Sequence, residues 1–250
     1  MIISFRLYLK KYDSMLFKSL LFSATFILIS GNIFAQFNAN LTYGTLTDID
    51  GNKYKTIKIG KQIWMAENLR VSRYNSGRYI DNITDNKQWE DDRNGGWCYY
   101  EHDATKNTPY GKLYNWYAVS NTNQLCPAGW HIPSDLDWDI LIANLNPPGS
   151  TLKDNSAVPL VGGIMKSTGT AYWYSPNAEA TNNSGFSALP GGYRTIKGQF
   201  YSMGSLANWW SISEYNVLKA WSRYIGVNGG SLHRFNYEKE IGLSVRCLRY

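Results

Sequence analysis

Charge is scarce in this chain: Asp, Glu, Lys and Arg together make up only 18% of its 250 residues. A chain this poor in charge and this rich in rings, with 19 Tyr and 10 Trp, builds a core, which excludes a disordered chain or a coiled coil. Histidine is also scarce. His102, His131 and His233 share no ligand spacing with cysteine or with one another, so no metal site is read from them. Cysteines number three, an odd count for a disulfide framework. No apolar run reaches the roughly 20 residues of a membrane span, and no segment repeats at a period of roughly 20–50 residues. No Gly-x-Ser-x-Gly elbow, zincin helix or phosphate loop occurs, so neither a catalytic motif nor a cofactor is indicated.

What is present begins with a leader. Arg6, Lys10, Lys11 and Lys18 precede an apolar run from Leu20 to Ile29, which Gly31 and Asn32 end. This is the pattern of a secretory signal, with Ile33-Phe34-Ala35 as the cleavage site and residues 36–250 as one exported domain. Met15-Leu16-Phe17-Lys18 also supplies a complete basic start, so translation from Met15 yields the same domain. The alternative is a retained signal anchor, but the run is short for one. No cysteine lies near the cut to carry a lipid. The net charge is +6; four basic residues and one acid belong to the leader, so three of the six remain after cleavage. They are scattered, with no Lys/Arg cluster interleaved with aromatics, and nucleic-acid binding is not expected. The expected location is secreted, periplasmic or cell-surface, with no membrane span left after cleavage.

Along residues 36–250 the pattern alternates between strand and turn. Leu41 to Ile49 and Tyr54 to Gly60 are β-favouring runs joined at Asp50-Gly51, a hairpin signal, and Gln62-Ile63-Trp64-Met65 follows as a third strand. Residues 72–96 are polar and aperiodic and read as a long surface excursion. Two helices are legible. Leu113, Trp116 and Tyr117 recur at helical spacing within Tyr110 to Val119. Ser134 and Asp137 form a capping-box pattern ahead of Trp138, Leu141, Ile142 and Leu145, and Asn146-Pro147-Pro148-Gly149 stops the helix. Short strands return over residues 185–194, 208–215 and 220–226. In Leu243-Ser-Val-Arg-Cys247, Leu243, Val245 and Cys247 share one face. Strands at both ends with helices between them describe an α+β domain.

Six segments, in order, resemble the Fibrobacter succinogenes major paralogous domain. They are Asp50-Gly51-Asn52-x-Tyr54-x-Thr56-Ile57-x-Ile59-Gly60-x-Gln62-x-Trp64-Met65-x-Glu67-Asn68-Leu69; Tyr110-Gly-x-Leu-Tyr-x-Trp-Tyr117; Pro127-Ala-Gly-Trp-His-Ile-Pro-Ser134; Gly185-Phe-x-Ala-Leu-Pro-Gly-Gly-Tyr-Arg194; Trp210-Ser-x-x-Glu-Tyr215; and Ser244-Val-Arg-Cys-Leu-Arg249. The resemblance implies a C-type-lectin-like fold with two helices, small antiparallel sheets, long loops and terminal strands that meet. It also implies a bacterial surface or secreted protein of unassigned activity. Residues 129–138 resemble, more distantly, formylglycine-generating domains on the same scaffold, and a shared scaffold carries no function with it.

A bridge between Cys126 and Cys247 would tie the start of the second helix to the last strand, leaving Cys98 reduced; the alternative is three buried thiols. Formylglycine-generating enzymes need a reactive cysteine pair late in the domain, and only Cys247 lies there. Asp48-Ile-Asp50-Gly51-Asn52 resembles a calcium loop, but aligning its glycine puts Leu46 and Ile57 at ligand positions. The tripeptides with which C-type lectins hold calcium are missing, so no metal is expected. His131 reads as a hydrogen-bonded structural residue. Asp135 and Asp139 share a helix face, where the helix dipole explains acids in a first turn. Glu67 and Glu214 are acids whose separation the sequence does not fix. Trp64, Trp116, Trp130 and Trp138 read as core. Trp89, Trp97, Tyr99, Tyr100 and Tyr201 lie in or beside polar loops and are the candidates for an exposed ligand platform, since rings beside Asn and Asp suit stacking on sugars. Their alternative is burial over the core. The expected function is a non-enzymatic binding or adhesion domain for an extracellular glycan or protein. The alternatives are an enzyme on the formylglycine-generating scaffold and a building block of a surface assembly.

Export is expected to remove residues 1–35. The intact mass of protein recovered from the envelope or medium should match a chain beginning at Gln36, open or cyclised to pyroglutamate; a mass that retains Leu20 to Ile29 refutes cleavage.

Overall fold

The computed structural model describes residues 36–146 and 157–250, so the leader and the Pro147–Gly149 stop lie outside the described residues. Gly44–Thr47 (β1) and Lys53–Ile59 (β2) pair antiparallel with Thr47 opposite Lys53. The Asp48 carboxylate closes their turn, accepting from the amides of Asp50 and Asn52 and, at 2.6 Å, from the Tyr54 hydroxyl. A carboxylate so fully engaged by its own chain explains why this acidic loop is a turn. Gln62–Met65 (β3) pairs with β2, placing Ile57 against Trp64.

The polar stretch that follows is mostly at the surface, as its composition predicts, but buried side chains pin it to the core. Tyr74, Ile80, Ile83 and Trp89 are all buried, the last on a short helix, Asn86–Asp91 (α1), capped by Asp85. Apolar residues at irregular spacing leave no periodic signal, yet each finds a place in the core. Asp81–Asn82 (β4), Gly96–Cys98 (β5) and Leu113–Tyr114 (β6) form a small sheet. The helix expected over 110–119 therefore shrinks to Trp116–Val119 (α2). Gly111 turns the chain at φ +80°, Leu113 pairs with Cys98, and the Asn115 side chain caps the helix by accepting from Ala118. Sheet pairing overrides the helical spacing of Leu113.

The second expected helix, Asp135–Leu145 (α3), is present with its capping box: Ser134 accepts from the Asp137 amide and Asp137 from the Ser134 amide. Its inner face lays Trp138 against Trp64 and Trp209, with Phe186 beside them. Ala157–Val158 (β7) and Val161–Met165 (α4) lead to a hairpin, Gly191–Arg194 (β8) with Phe200–Met203 (β9), and then to the longest strands, Leu206–Glu214 (β10), Lys219–Gly226 (β11) and Leu232–Glu238 (β12). The sheet order is β10-β11-β12-β7. Leu248–Arg249 (β13) returns to pair with β3, so the first sheet, β1-β2-β3-β13, joins the two ends of the domain. Mixed helices and mainly antiparallel sheets make this an α+β domain.

Leu243, Val245 and Cys247 do share one core, but regular pairing starts only at Leu248. Ser244 and Arg246, which alternate with them, are buried as well. Cys247 is bonded to Cys126, 121 residues away, a closure worth roughly 4–5 kcal/mol in the chain-entropy account. Arg246 sends its guanidinium to Asn68 Oδ1 at 2.9 Å and to the carbonyls of Phe186, Ser187 and Met65. Asn68 Oδ1 also accepts from Trp209 Nε1 at 2.9 Å.

Burial pushes the Cys98 thiol up to about 12, although Arg194 beside it acts the other way. Because this folded value lies above the unfolded one, the thiol contributes stability that is whole below about pH 8.5 and is lost as pH rises toward 12. At pH 8, iodoacetamide should therefore leave the native protein unlabelled and label Cys98 alone after denaturation; two further thiols should appear only on reduction. Native labelling at Cys98, or a peptide map linking Cys98 to another cysteine, contradicts this arrangement.

Candidate functional site

The β10-β11-β12 sheet has two unlike faces, because side chains alternate along each strand. On one face Trp209, Arg223, Ile225 and Arg234 meet α3. Asp135 accepts from Arg223 at 2.7 Å and from Arg234 Nε at 2.9 Å, and Asp139 reaches Arg223 at 3.5 Å. The two acids that share a helix face thus clamp the helix to the sheet. The other face carries Asn208, Trp210, Ala220, Tyr224, His233, Phe235 and Tyr237, and the β8–β9 hairpin packs against part of it.

Beyond that cover a row of rings is left open. His233 lies parallel to Tyr224, its cross-strand partner, with centroids 4.5 Å apart and planes 4° apart. The row continues from Tyr224 to Phe235 at 6.4 Å, to Tyr237 at 4.8 Å, to Tyr193 on the hairpin at 6.3 Å and to Tyr201 at 6.0 Å. Phe235 is 47% and Tyr201 50% exposed, while the other four are half-buried. Rings held against one another at an open surface present a rigid apolar face at small entropic cost on binding.

At the Tyr224–His233 end lies a cleft of about 350 Å³, walled by Ser202, Ser205, Asn228 and Ser231. Lys166 braces this wall from behind by donating to the carbonyls of Gly229 at 3.0 Å, Gly226 at 3.3 Å and Ala178 at 2.6 Å. Burial lowers its pKa to about 8. Asn208, directly across the ladder from Tyr224, is buried with both amide atoms unpartnered.

A second cleft, of about 340 Å³, holds His131, Ser134 and Asp137. Their wiring is not that of a nucleophilic triad: Ser134 Oγ donates to Asp137 at 2.6 Å, while His131 Nε2 lies 3.5 Å from the same carboxylate oxygen. The imidazole contacts the carboxylate and not the serine. Asp137 is a structural acid. Burial alone would raise its pKa, but hydrogen bonds from Ser134 and Tyr250 hold it below the usual carboxylate range. Ser72 and buried Lys112 also touch, but the Lys112 amine donates to the hydroxyl and sits 3.6 Å over the Trp97 ring; burial lowers its pKa to about 8, with Asp50 and Asp48 acting the other way. Glu67 and Glu214 do not form a pair: Glu67 engages Arg70 and Glu214 engages Lys239. Among the described residues no group of three His, Cys, Asp or Glu is placed to hold a metal ion.

The expected platform of loop aromatics needs correction. Trp89, Trp97 and Tyr100 are buried: Trp89 beneath the Arg194 guanidinium, Trp97 with its indole donating to the Ile80 carbonyl, Tyr100 against Phe200. Tyr99 is half-buried, edge-on to Trp97. Polar neighbours in sequence do not keep a large ring in water when a core position is within reach. Of the five, Tyr201 alone belongs to the open row. The rings that the sequence reading passes over, His233, Phe235 and Tyr237, alternate with Arg234 and Asn236 in β12, a period-two signal that was there to be found. Trp64, Trp116 and Trp138 are core as expected, and Trp130 is half-buried.

The family model described as the Fibrobacter succinogenes major domain matches residues 57–249. The chain belongs to this family. No curated protein and no solved structure matches the chain. The Fibrobacter succinogenes major domain here runs from β2 to β13 and contains the open aromatic row and the cleft beside it whole.

Trp89→Ala should cost about 3–5 kcal/mol through the cavity it leaves, whereas Tyr201→Ala should stay within about 0.5 kcal/mol of the parent, as an exposed ring on a hairpin does. Guanidinium unfolding of both variants checks the pair. Equal losses would mean that the burial of the two rings is misassigned.

Proposed function

We propose that this protein is an exported, non-enzymatic binding or adhesion domain of the bacterial surface, periplasm or medium, which captures an extracellular glycan or protein on its aromatic row. One observation carries the reading: six rings in mutual contact, four on the sheet and two on the hairpin, form a partly open row opposite the sheet face that a helix covers. Export is supported by the leader pattern and by the Cys126–Cys247 bond, which suits an oxidising compartment. The fold reading that accompanies it is C-type-lectin-like, supported by terminal strands that meet in one sheet. The enzymatic alternative has less to rest on, since Cys247, the only late cysteine, is engaged with Cys126.

The reading is tested by presenting the exported protein to an array of glycans and extracellular proteins, with and without chelator. Tyr201→Ala and Phe235→Ala should each weaken capture by about 1–3 kcal/mol with little change in melting temperature. Capture that is indifferent to both places the site elsewhere, and capture abolished by chelator shows a metal-dependent site. Silence across the array, with the native protein forming ordered oligomers, favours the assembly reading.

A further inference from the structure

We infer that the cleft at the Tyr224–His233 end of the row is a subsite for an uncharged pyranose sugar. The inference rests on the binding reading above and fixes the chemical class of its ligand. The cleft offers two kinds of surface. Tyr224 and His233 contribute ring surface, while Ser202, Ser205 and Ser231 contribute hydroxyls and Asn228 an amide. None of these groups carries a formal charge at neutral pH; burial lowers the His233 pKa from its ordinary value, so its imidazole is neutral there. Lys166, the nearest cation to the wall, directs its ammonium into three carbonyls rather than into the cleft.

A charged ligand would find no counter-charge on these walls and would lose its hydration without compensation. A wholly apolar ligand would strip water from the hydroxyls and the amide and return nothing. A pyranose meets both demands, since its axial C–H face lies on a ring and its equatorial hydroxyls both donate and accept. The volume of about 350 Å³ accommodates a single sugar ring and not a folded partner. Larger glycans would continue from it along the row toward Tyr201.

Titration of the ¹⁵N-labelled exported protein with methyl glucoside and N-acetylglucosamine, alongside glucuronate and glucosamine as charged counterparts, tests this by amide chemical shifts. The neutral sugars should move the amides of Asn228, Ser231 and His233, saturating in the millimolar range expected of a single ring, with no dependence on salt. Asn228→Ala and Tyr224→Ala should weaken that response about tenfold or more, while Tyr79→Ala, an exposed ring outside the row, leaves it intact; Asn228 is an exposed loop residue, so its substitution keeps the test valid if Tyr224→Ala folds poorly. No saturating shift with either neutral sugar, or a preference for a charged one, overturns the inference. If array capture is lost in Tyr201→Ala while the neutral sugars leave the cleft amides unmoved, the sugar subsite is wrong and the aromatic-row reading stands. If capture survives every one of these substitutions, both fail.

Discussion

A guanidinium buried without a carboxylate beside it must satisfy its donors from groups that cannot leave, and Arg246 does so with Asn68 Oδ1 and the carbonyls of Met65, Phe186 and Ser187. Burial lowers its pKa to about 9, with Glu67 acting the other way, so the charge persists at neutral pH. Asn68 is the complementary half of the hub. Its oxygen accepts from Arg246 and Trp209, and its nitrogen donates to the Tyr110 carbonyl and Ser244 Oγ. Five stretches of chain far apart in sequence are fixed relative to one another at this point, and each must be in place before the others are satisfied. Interactions of this kind contribute more to uniqueness than to net stability, since breaking any one strands a buried polar group.

Two other buried arginines also join distant elements, Arg194 through neutral acceptors and Arg223 through carboxylates. Arg194 donates to the carbonyls of Ile83 and Thr84 and to Asn86, and stacks on Trp89, which anchors the β8–β9 hairpin to the polar stretch before α1. That anchor sets where Tyr193 and Tyr201 stand. Arg223 joins α3 to β11 through Asp135 and Asp139, sealing the opposite sheet face. With one face covered by a helix and the other only partly covered by a hairpin, the rings of β11 and β12 have nothing left to bury them. The open row therefore follows from how the covering elements are anchored.

Much of the frame was legible in the chain itself. The Asp50-Gly51 hairpin, the capping box of Ser134 and Asp137 and the apolar face of α3 follow from local chemistry, and the pairing of Cys126 with Cys247 from their places before the second helix and on the last strand. Other residues have fates that depend on distant neighbours. Leu113 fits a helical stripe, but Cys98 offers it a strand partner. Trp89 sits among charges in sequence, but Arg194, 105 positions later, roofs it over. Scattered basic residues look like solvated surface, and Arg194, Arg223 and Arg246 are among the most deeply buried side chains in the protein.

The sequence by itself determined the α+β class, the family, the main turns and the rings that build the core, because hydrogen-bonding geometry and hydrophobic periodicity act over a few residues. Only the tertiary structure decided which aromatic rings remain in water. Every large ring gains by burial, so exposure is set by which places other elements have already filled. Phe235 is open because the β8–β9 hairpin covers only part of its face of the sheet, whereas Trp89 is closed because the chain folds it beneath Arg194.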